Sequence, residues 1–532
     1  MLSRGQIRAN QKYRDTSGSL FLAALAAAFA LFISAKFIDV FHIFQDSFFT
    51  HLFHLLTDTK NYLNFLNNYK FKSFIFYIIP TFAMIASALL AWAYFGRERD
   101  AFTLLRGRRL LRGREAVKAT KISFQKAVEG DEKGLALLPD IHITRSQEVK
   151  SILVCGAQGG GKTVFINQLL TTILERGDRC IIFDPTKGDF STWIPNSLLI
   201  SSTDSRSSHW WLGYDIQNLS DAQAFAQGLI EESSEPLWSN AARGILVACI
   251  LKLQNELGQH WSWKELADLV FLPISELKEI AEKNYPPAVV LLEEDSKTSQ
   301  SMVMNMVAYM VPVYVLGETF SKIQGKKLSL VSWLNSNKKQ KNLVVQMNQR
   351  DAATGAALSR AIVELLTSRI ASLEFLNSKS RRICFSLDEI PQFGRLDNIS
   401  RLMEVGRSKG VYCIFGFQDI SQINQLYKPH EAQKWAALFG VKVFPQVVGR
   451  DSQDWVTGQI GEQEVQYLQK SVSGVGDGKQ NVSMSYSQPT TRQVLLSSEL
   501  DPILWKGKLM IFYQLVRSFH ETYSPSFIYR SV

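Results

Sequence analysis

The stretch SILVCGAQGGGKTVFINQLLTTIL, residues 151–174, decides the fold. Its first five residues are a short, largely apolar run that predicts a buried strand, and its last eleven have the spacing of an amphipathic helix. The segment between them, residues 156–163, matches the P-loop pattern G-x-x-x-x-G-K-[ST]. A glycine-rich turn that matches by chance is the alternative. A strand before the motif and a helix after it are the context in which a true P-loop occurs.

The residue types of this motif suit a nucleoside triphosphate with Mg²⁺. Glycines let the backbone curl so that its N–H groups face phosphate oxygens, and the N-terminus of the next helix adds partial positive charge. We expect Lys162 to reach the β- and γ-phosphates and the Thr163 hydroxyl to hold Mg²⁺. The predicted ATP-binding residues are Gly156, Ala157, Gln158, Gly159, Gly160, Gly161, Lys162 and Thr163.

A second motif, RICFSLDE at residues 382–389, is a largely apolar strand that ends in two carboxylates. Asp388 is predicted to hold Mg²⁺. Glu389 is predicted to act as a general base that polarises the attacking water. An acidic turn on the surface is the alternative, and the pairing with an upstream P-loop favours the catalytic interpretation.

The chain contains further apolar runs that predict strands buried on both faces. Because such strands alternate with helical patterns, they indicate a parallel sheet covered by helices. Ligands of these sheets bind at the carboxyl ends of the strands, and Asp184, Asp388 and Gln418 each directly follow a predicted strand. The further predicted strands are residues 180–183, 343–346 and 411–415.

Two uncharged apolar runs, residues 16–35 and 73–96, each reach the ~20 residues that span a bilayer as a helix. Basic residues are concentrated before the first run and after the second, so the positive-inside rule places both termini in the cytoplasm. We therefore predict transmembrane helices at about 17–35 and 73–95. A cleaved signal peptide is the alternative for the first run, and a buried core helix for the second.

The net charge of +10 lies almost entirely near the N-terminus. Residues 1–118 hold 16 Lys and Arg against 7 Asp and Glu, and the rest of the chain holds 43 against 42. The basicity is thus a feature of the membrane flanks and gives little direct support for a DNA-binding surface elsewhere. None of the five cysteines forms a CxxC pair, which predicts buried free thiols in a reducing compartment.

The order of these motifs resembles the type IV secretion coupling proteins of the conjugative TraD/TrwB-like group. The motifs are two apolar spans, the P-loop, FDPTKGDF (183–190), LDEIPQFGRL (387–396) and GRSKGVYCIFGFQDISQI (406–423). Their order and spacing are more specific than any one of them, since a P-loop alone indicates only an NTPase.

The resemblance implies a RecA-like α/β P-loop ATPase domain with an inserted all-α domain, behind an N-terminal two-helix transmembrane segment. Apolar residues recur at three and four from Ser220 to about Leu316, which places the insertion. The predicted domains are a membrane anchor at 1–118, the RecA-like domain at 119–205 and 320–532, and the inserted all-α domain at 206–319.

The resemblance also implies a homo-hexameric ring in the bacterial inner membrane that hydrolyses ATP with Mg²⁺. Arg407 matches the position of an arginine finger that acts on the neighbouring subunit, and Gln418 matches a polar sensor of the γ-phosphate. A surface arginine and a strand-end hydrogen bond are the respective alternatives. Asp184 and Asp189 are weaker candidates for the surroundings of Mg²⁺.

The implied function is delivery of a relaxase–DNA complex to a secretion channel, with DNA and channel components as partners. A receptor for protein effectors without a DNA-motor role is the main alternative. An FtsK-like translocase or a channel-assembly ATPase fits less well, because two spans and a helical insertion favour a coupling protein. Residues 471–493, rich in Ser, Gly and Gln, are predicted to form a flexible loop with no assigned role.

Overall fold

The structure is a computed structural model. It describes residues 16–40, 80–91, 102–108, 110–111, 113–139, 141–185, 188–194, 196–233, 235–291, 297–323, 325–336, 342–475, 479–500, 510–514 and 526–530, with the single residues 50, 53 and 57. These residues fall into two compact units. The first comprises residues 1–106 and 464–492, and the second comprises residues 107–463 and 493–532.

The described strands and helices are numbered in chain order. The strands are β1 (Phe102–Gly107), β2 (Lys133–Leu138), β3 (Ile141–Thr144), β4 (Ile152–Cys155), β5 (Arg179–Asp184), β6 (Leu198–Ser201), β7 (His209–Trp210), β8 (Lys327–Leu328), β9 (Leu343–Gln346), β10 (Ile383–Leu387), β11 (Val411–Phe417), β12 (Val441–Phe444), β13 (Glu462–Val475), β14 (Lys479–Tyr486), β15 (Thr490–Gln493), β16 (Met510–Gln514) and β17 (Ser526–Arg530). The helices are α1 (Thr16–Val40), α2 (Gly113–Val128), α3 (Arg145–Glu148), α4 (Lys162–Arg176), α5 (Asp189–Trp193), α6 (Leu212–Asp215), α7 (Leu219–Leu229), α8 (Pro236–Leu257), α9 (Trp263–Val270), α10 (Ile274–Asn284), α11 (Lys297–Lys322), α12 (Leu330–Asn335), α13 (Ala352–Ala371), α14 (Ile399–Ser408), α15 (Ile420–Leu426), α16 (Pro429–Leu438) and α17 (Arg450–Ile460).

The second unit is built on one large sheet with the strand order β17-β16-β12-β4-β11-β10-β5-β9-β6. The seven strands from β12 to β6 are mutually parallel. Strands β16 and β17 continue the sheet in antiparallel fashion beyond β12. The predicted parallel sheet is therefore confirmed, and every strand predicted for it lies in it.

The two faces of this sheet are covered by separate apolar layers, as its continuous apolar strands require. Along β4, Ile152 and Val154 enter one layer together with Ile166 and Leu169 of α4. The alternate residue Leu153 enters the other layer, which contains α7, α13 and most of the helical region. Side chains of successive strand residues point to opposite faces, so each central strand contributes to both layers.

Helices α6–α12 lie between β6 and β9, and an aromatic cluster forms much of their core. The indole ring of Trp263 packs on the rings of Trp210, Phe225 and Phe320 at centroid distances of 5.5 to 5.8 Å. A capping box fixes the start of α9: the Ser262 side chain accepts a hydrogen bond from the backbone N–H of Glu265, and the Glu265 side chain accepts one from the backbone N–H of Ser262. The helical patterns expected between residues 221 and 316 coincide with α7–α11.

The prediction of a flexible loop at residues 471–493 is wrong. Strands β13 and β14 pair in antiparallel register from Leu468↔Tyr486 to Val475↔Lys479. β15 pairs with β13 as well. The sequence interpretation also missed β6 and β12, which are short and lie near the two ends of the parallel region.

All five cysteines are free and buried, as expected. Burial raises the pKa of the Cys249 thiol to about 12, so the thiol stays protonated at neutral pH. Cys155 at the end of β4 likewise has its pKa raised by burial. A buried neutral thiol is a packing element and not a nucleophile.

The first predicted apolar span coincides with α1, and residues 80–91 within the second are helical. The rest of the second predicted span, residues 73–79 and 92–95, lies outside the described residues. Within the described part of the chain, none of the helices has both the length and the apolar character needed to cross a membrane.

Candidate nucleotide-binding site

The P-loop turns sharply between β4 and α4 because its glycines adopt left-handed backbone angles. Gly159 has φ of 75° and Gly161 has φ of 96°, a region that side chains with a Cβ rarely enter. Gly161 is the N-cap of α4 in this left-handed conformation. The turn is closed by Gly160, whose N–H donates to the carbonyl of Ala157 at 2.9 Å. Helix α4 therefore begins at Lys162, and its N-terminus faces the loop.

The P-loop rests on the segment that follows β12. The N–H of Ala157 donates to the carbonyl of Gln446 at 2.8 Å. A Cβ on Gly156 would lie 2.8 Å from the ring of Pro445, and one on Gly160 would lie 2.9 Å from the Cβ of Gln446. Two of the motif glycines are therefore required by this close approach, in addition to the turn itself.

Lys162 joins the P-loop to the end of β10. Its ammonium group donates to the Asp388 carbonyl and to Oε2 of Glu389, both at 2.6 Å. It also lies 3.1 Å from Oδ1 of Asp388. Lys162 is only 7% exposed, so these contacts occur largely out of bulk water. The two sequence motifs, separated by more than two hundred residues, thus meet in one cluster.

Thr163 and Asp388 offer oxygen ligands of the type that Mg²⁺ prefers. The Thr163 hydroxyl donates to Oδ2 of Asp388 at 3.1 Å. Oδ1 of Asp388 is buried and accepts no hydrogen bond among the described residues, although Lys162 is near. A carboxylate oxygen with a free lone pair beside a threonine hydroxyl fits a Mg²⁺ shell that also includes phosphate oxygens.

Gln418 contacts the second carboxylate of the motif. Its side-chain amide donates to Oε2 of Glu389 at 3.0 Å. Because β11 lies beside β10 in the sheet, the residues that follow the two strands meet at one edge. Glu389 is 5% exposed, and Lys162 and Gln418 both donate to its Oε2 atom, which orients the carboxylate.

Gly416 is a residue of this site that the sequence interpretation missed. A Cβ at this position of β11 would lie only 2.1 Å from the Asp388 carbonyl oxygen, which is the acceptor of Lys162. Only glycine therefore lets Asp388 approach β11 this closely. An isolated glycine inside an apolar strand is a known sign of such an approach, so the sequence did contain a signal.

Asp184 lies at the end of β5, and its carboxylate contacts the start of α5. Its Oδ2 accepts a hydrogen bond from the N–H of Phe190 at 3.2 Å, which fixes the first turn of α5 at the end of β5. The side chain of Asp189 lies outside the described residues.

Arg407 lies at the amino ends of the parallel strands, at the edge of the sheet opposite the P-loop. It lies in the last turn of α14, which leads into the amino end of β11, whereas Lys162 follows the carboxyl end of β4. The side chain is exposed, and within the described residues it has no hydrogen bond or ion pair. It lines a cavity of ≈ 920 Å³. The other lining residues are Gly130, Asp131, Glu132, Arg145, Ser146, Val149, Asn377, Ser378, Lys379, Glu404 and Ser408.

Known proteins are similar to this chain over most of its length. Residues 136–514 match the family described as the type IV secretion-system coupling protein DNA-binding domain. The coupling protein TraD of Escherichia coli (strain K12) is 24% identical over 334 residues, which cover 61% of this chain and 46% of TraD. The chain thus matches less than half of the length of that relative.

Solved structures of the coupling protein TrwB share the fold. The unbound bacterial conjugative coupling protein TrwBΔN70 superposes with a TM-score of 0.65 and 22% identity, covering 81% of this chain and 93% of TrwBΔN70. Plasmid coupling protein TrwB in complex with the ATP analogue ADPNP gives 0.64 and 21%, with 80% and 94% covered. Its complex with ADP and Mg²⁺ gives 0.64 and 21%, with 81% and 94% covered. Since the family match spans well over half of the chain, the chain belongs to the type IV secretion-system coupling proteins.

Proposed function

We propose that this protein is an ATPase whose hydrolysis drives the transfer of a macromolecule to a secretion channel. The observation that carries the proposal is the contact of Lys162 with both carboxylate residues of the second motif. P-loop NTPases bring together at one site a P-loop lysine, an Asp that holds Mg²⁺ and a residue that positions the attacking water. The complexes of TrwB, a structural relative, with the ATP analogue ADPNP and with ADP and Mg²⁺ support the same cofactors here.

Each residue has a role in this proposal. Gly156–Gly161 would present backbone N–H groups to the phosphates, with Lys162 on the β- and γ-phosphates. Thr163 and Asp388 would hold Mg²⁺, which supplies charge neutralisation at the phosphate oxygens. Glu389 would accept a proton from the attacking water, while Gln418 keeps the Glu389 carboxylate in place.

Arg407 would complete the site of a neighbouring copy. Within one chain it lies at the edge of the sheet opposite Lys162, so it serves the nucleotide only across an interface between copies. Its exposure and its lack of a partner among the described residues support this role. A homo-hexameric ring, as the family resemblance implies, would place such an interface at every site.

The cargo is proposed to be a relaxase–DNA complex. Its support is the family description, which names a DNA-binding domain, and the likeness to conjugative coupling proteins. The alternative is a receptor for protein effectors, and the charge does not decide between the two, since residues 119–532 are nearly balanced at 43 basic against 42 acidic residues. A DNA motor would need its basic residues concentrated on a pore surface.

We also propose that residues 1–118 anchor the protein in the bacterial inner membrane with both termini in the cytoplasm. The two apolar runs and their basic flanks support this topology. The apolar side chains Leu25, Phe29 and Phe32 of α1 are at least half exposed, which is costly in water and not in lipid. The proposed domain boundaries remain 119–205 with 320–532 for the ATPase domain and 206–319 for the inserted helices.

The test is the ATPase rate of the purified protein, titrated with single-stranded and double-stranded DNA over a range of salt concentrations. Hydrolysis that DNA stimulates strongly, and that salt suppresses, would support the DNA motor. Hydrolysis that ignores DNA would favour the effector receptor. The Lys162→Ala protein is the control, and equal hydrolysis by that variant would refute the catalytic assignment.

A further inference from the structure

The loop that follows Glu389 is tightly packed. Glu389 caps the short 3₁₀ turn Ile390–Phe393, and Gly394 then adopts φ of 73°. A Cβ on Gly394 would lie 2.7 Å from Oε1 of Glu231 and 2.9 Å from Nη1 of Arg360. The backbone just beyond the catalytic carboxylate therefore lies directly on two charged side chains from other elements.

Arg360, in the middle of α13, connects this loop to the helical region. Its guanidinium donates to the Phe393 carbonyl at 2.8 Å and to the Gly228 carbonyl at 3.1 Å. It also lies 3.4 Å from Oε2 of Glu231. Phe393 belongs to the loop after Glu389, and Gly228 to the last turn of α7. One buried side chain thus holds both segments.

Three further contacts tie the loop to the helical region. Glu231 accepts a hydrogen bond from the N–H of Arg395 at 2.9 Å. Asp397 accepts one from the Gln227 side chain at 3.2 Å and pairs with Arg243 of α8 at 3.8 Å. The loop 390–398 is therefore joined to α7, to the residues directly after α7, and to α8.

Helix α7 has little freedom to move without the rest of this assembly. A Cβ on Gly228 would lie 2.7 Å from the Cα of Ala361, so α7 and α13 touch backbone to backbone. Close-packed interiors have low compressibility and transmit strain. These two helices meet at Gly228 with their backbones in contact, so a displacement of α7 reaches α13 and the loop that Arg360 holds.

We propose that Arg360 and Glu231 are positioning residues that couple α7 and α8 to the orientation of the Glu389 carboxylate. This proposal rests on the proposed ATPase function. Coupling between two sites is reciprocal: a ligand on the helical surface alters hydrolysis, and nucleotide binding alters the helices. Gln227 and Arg243 also line a cavity of ≈ 390 Å³, together with Gln223, Asn240 and Tyr285. Because Gln227 and Arg243 both contact Asp397, a macromolecule that binds at this surface alters the contacts of Asp397.

The first experiment compares Glu231→Gln with Glu232→Gln. Glu232 is the adjacent residue; it is exposed, and none of the described hydrogen bonds or ion pairs involves it. We expect kcat of Glu231→Gln to fall by about tenfold while KM for ATP stays within about twofold, since the P-loop is untouched. Glu232→Gln should match the unaltered protein. Equal kcat in the two variants would overturn the proposal, as would a change confined to KM.

The second experiment does not depend on turnover. Hydrogen exchange of residues 219–231 is measured with and without ADP and Mg²⁺, in the unaltered protein, in Glu231→Gln and in the conservative variant Arg360→Lys. We expect nucleotide to change exchange in the unaltered protein and the change to be lost in Glu231→Gln. An identical response in all three proteins would overturn the coupling even if ATPase activity is present. Absence of ATPase activity in the unaltered protein would instead refute the proposed function.

Discussion

The parallel strands of the central sheet end at a carboxyl edge and begin at an amino edge, and these two edges carry charged residues in different ways. At the carboxyl edge, Lys162, Asp388 and Glu389 contact one another. At the amino edge, Glu148 is fully buried between Arg145 and Arg176, while the neighbouring Arg407 is exposed without a partner among the described residues. The first cluster is complementary within one chain, and Arg407 is not. This difference is the basis of the proposal that Arg407 serves another copy of the chain, whereas Glu148 and its partners form a structural network.

The largest expected effect tests whether Arg407 acts across an interface. We expect Arg407→Ala to lose on the order of 10³-fold or more in ATP turnover, the range of arginine fingers in phosphoryl transfer. Mixing it with Lys162→Ala should restore part of the activity, because each mutant supplies what the other lacks. Steady-state turnover of the mixtures at varied ratios measures this.

Arg401→Ala is the matched control for that experiment. Arg401 lies on the same helix, is exposed, and has no described ion pair or hydrogen bond. It should retain full activity. If the mixtures consistently fail to regain turnover, Arg407 does not act across an interface, and the proposed difference between the two edges is wrong.

The next effect concerns the carboxyl edge. Glu389→Gln should bind ATP but hydrolyse it about 10²–10⁴-fold more slowly, because the general base is lost and the residues that hold Mg²⁺ remain. Binding is followed by titration with ADPNP and hydrolysis by phosphate release. Glu175→Gln, exposed near the end of α4, is the control. Loss of nucleotide binding with Glu389→Gln would mean that the residue holds the site together and is not its base.

A smaller effect on turnover is expected from Gly416→Ala. The added methyl group would lie 2.1 Å from the Asp388 carbonyl and must displace it, together with the Lys162 contact. A misplacement of about 1 Å at a reacting centre costs on the order of 10²-fold in rate. The kcat is compared with that of Gly458→Ala, where a Cβ meets open space. Equal rates would show that β11 does not set the position of Asp388.

The smallest effect on turnover is expected at the amino edge. Glu148→Gln breaks a buried network in which Glu148 accepts from Arg176 at 2.7 and 2.9 Å. Removing one member of a buried ion pair costs about 3–5 kcal/mol of stability. We therefore expect a lower urea midpoint of unfolding with kcat unchanged under folding conditions. A large loss of kcat in the folded variant would contradict the structural role of this network.

The sequence allowed prediction of the central strands because they are buried on both faces. Runs such as ILVC and VYCIFGF have no polar interruption, so burial and strand structure follow together. The short strand VKVF carries a lysine, which hid β12, and the four-residue LLIS of β6 gives too little pattern. The hairpin of β13 and β14 was mistaken for a loop because Ser, Gly and Gln signal turns by composition, although backbone pairing is open to them.

The motifs of the site were predictable from the sequence, but the residues that pack against those motifs and support them were not. The P-loop and the Asp-Glu pair are recognisable since their chemistry limits the residue types. The supports depend on distances between segments far apart in the chain, such as Pro445 against Gly156 or Glu231 against Gly394. The bond from the Phe190 N–H to Asp184 likewise depends on how the loop after β5 folds, which the sequence pattern did not predict.

Strands β16 and β17 have a consequence for shortened versions of the protein. They cover the outer edge of β12, and the residues directly after β12 support the P-loop. A version that ends before Met510 would leave the outer edge of β12 unpaired, and unpaired edges recruit strands from other chains. We therefore expect such a version to aggregate, and a truncation intended to remove a peripheral tail would disturb the strand that leads into the P-loop support.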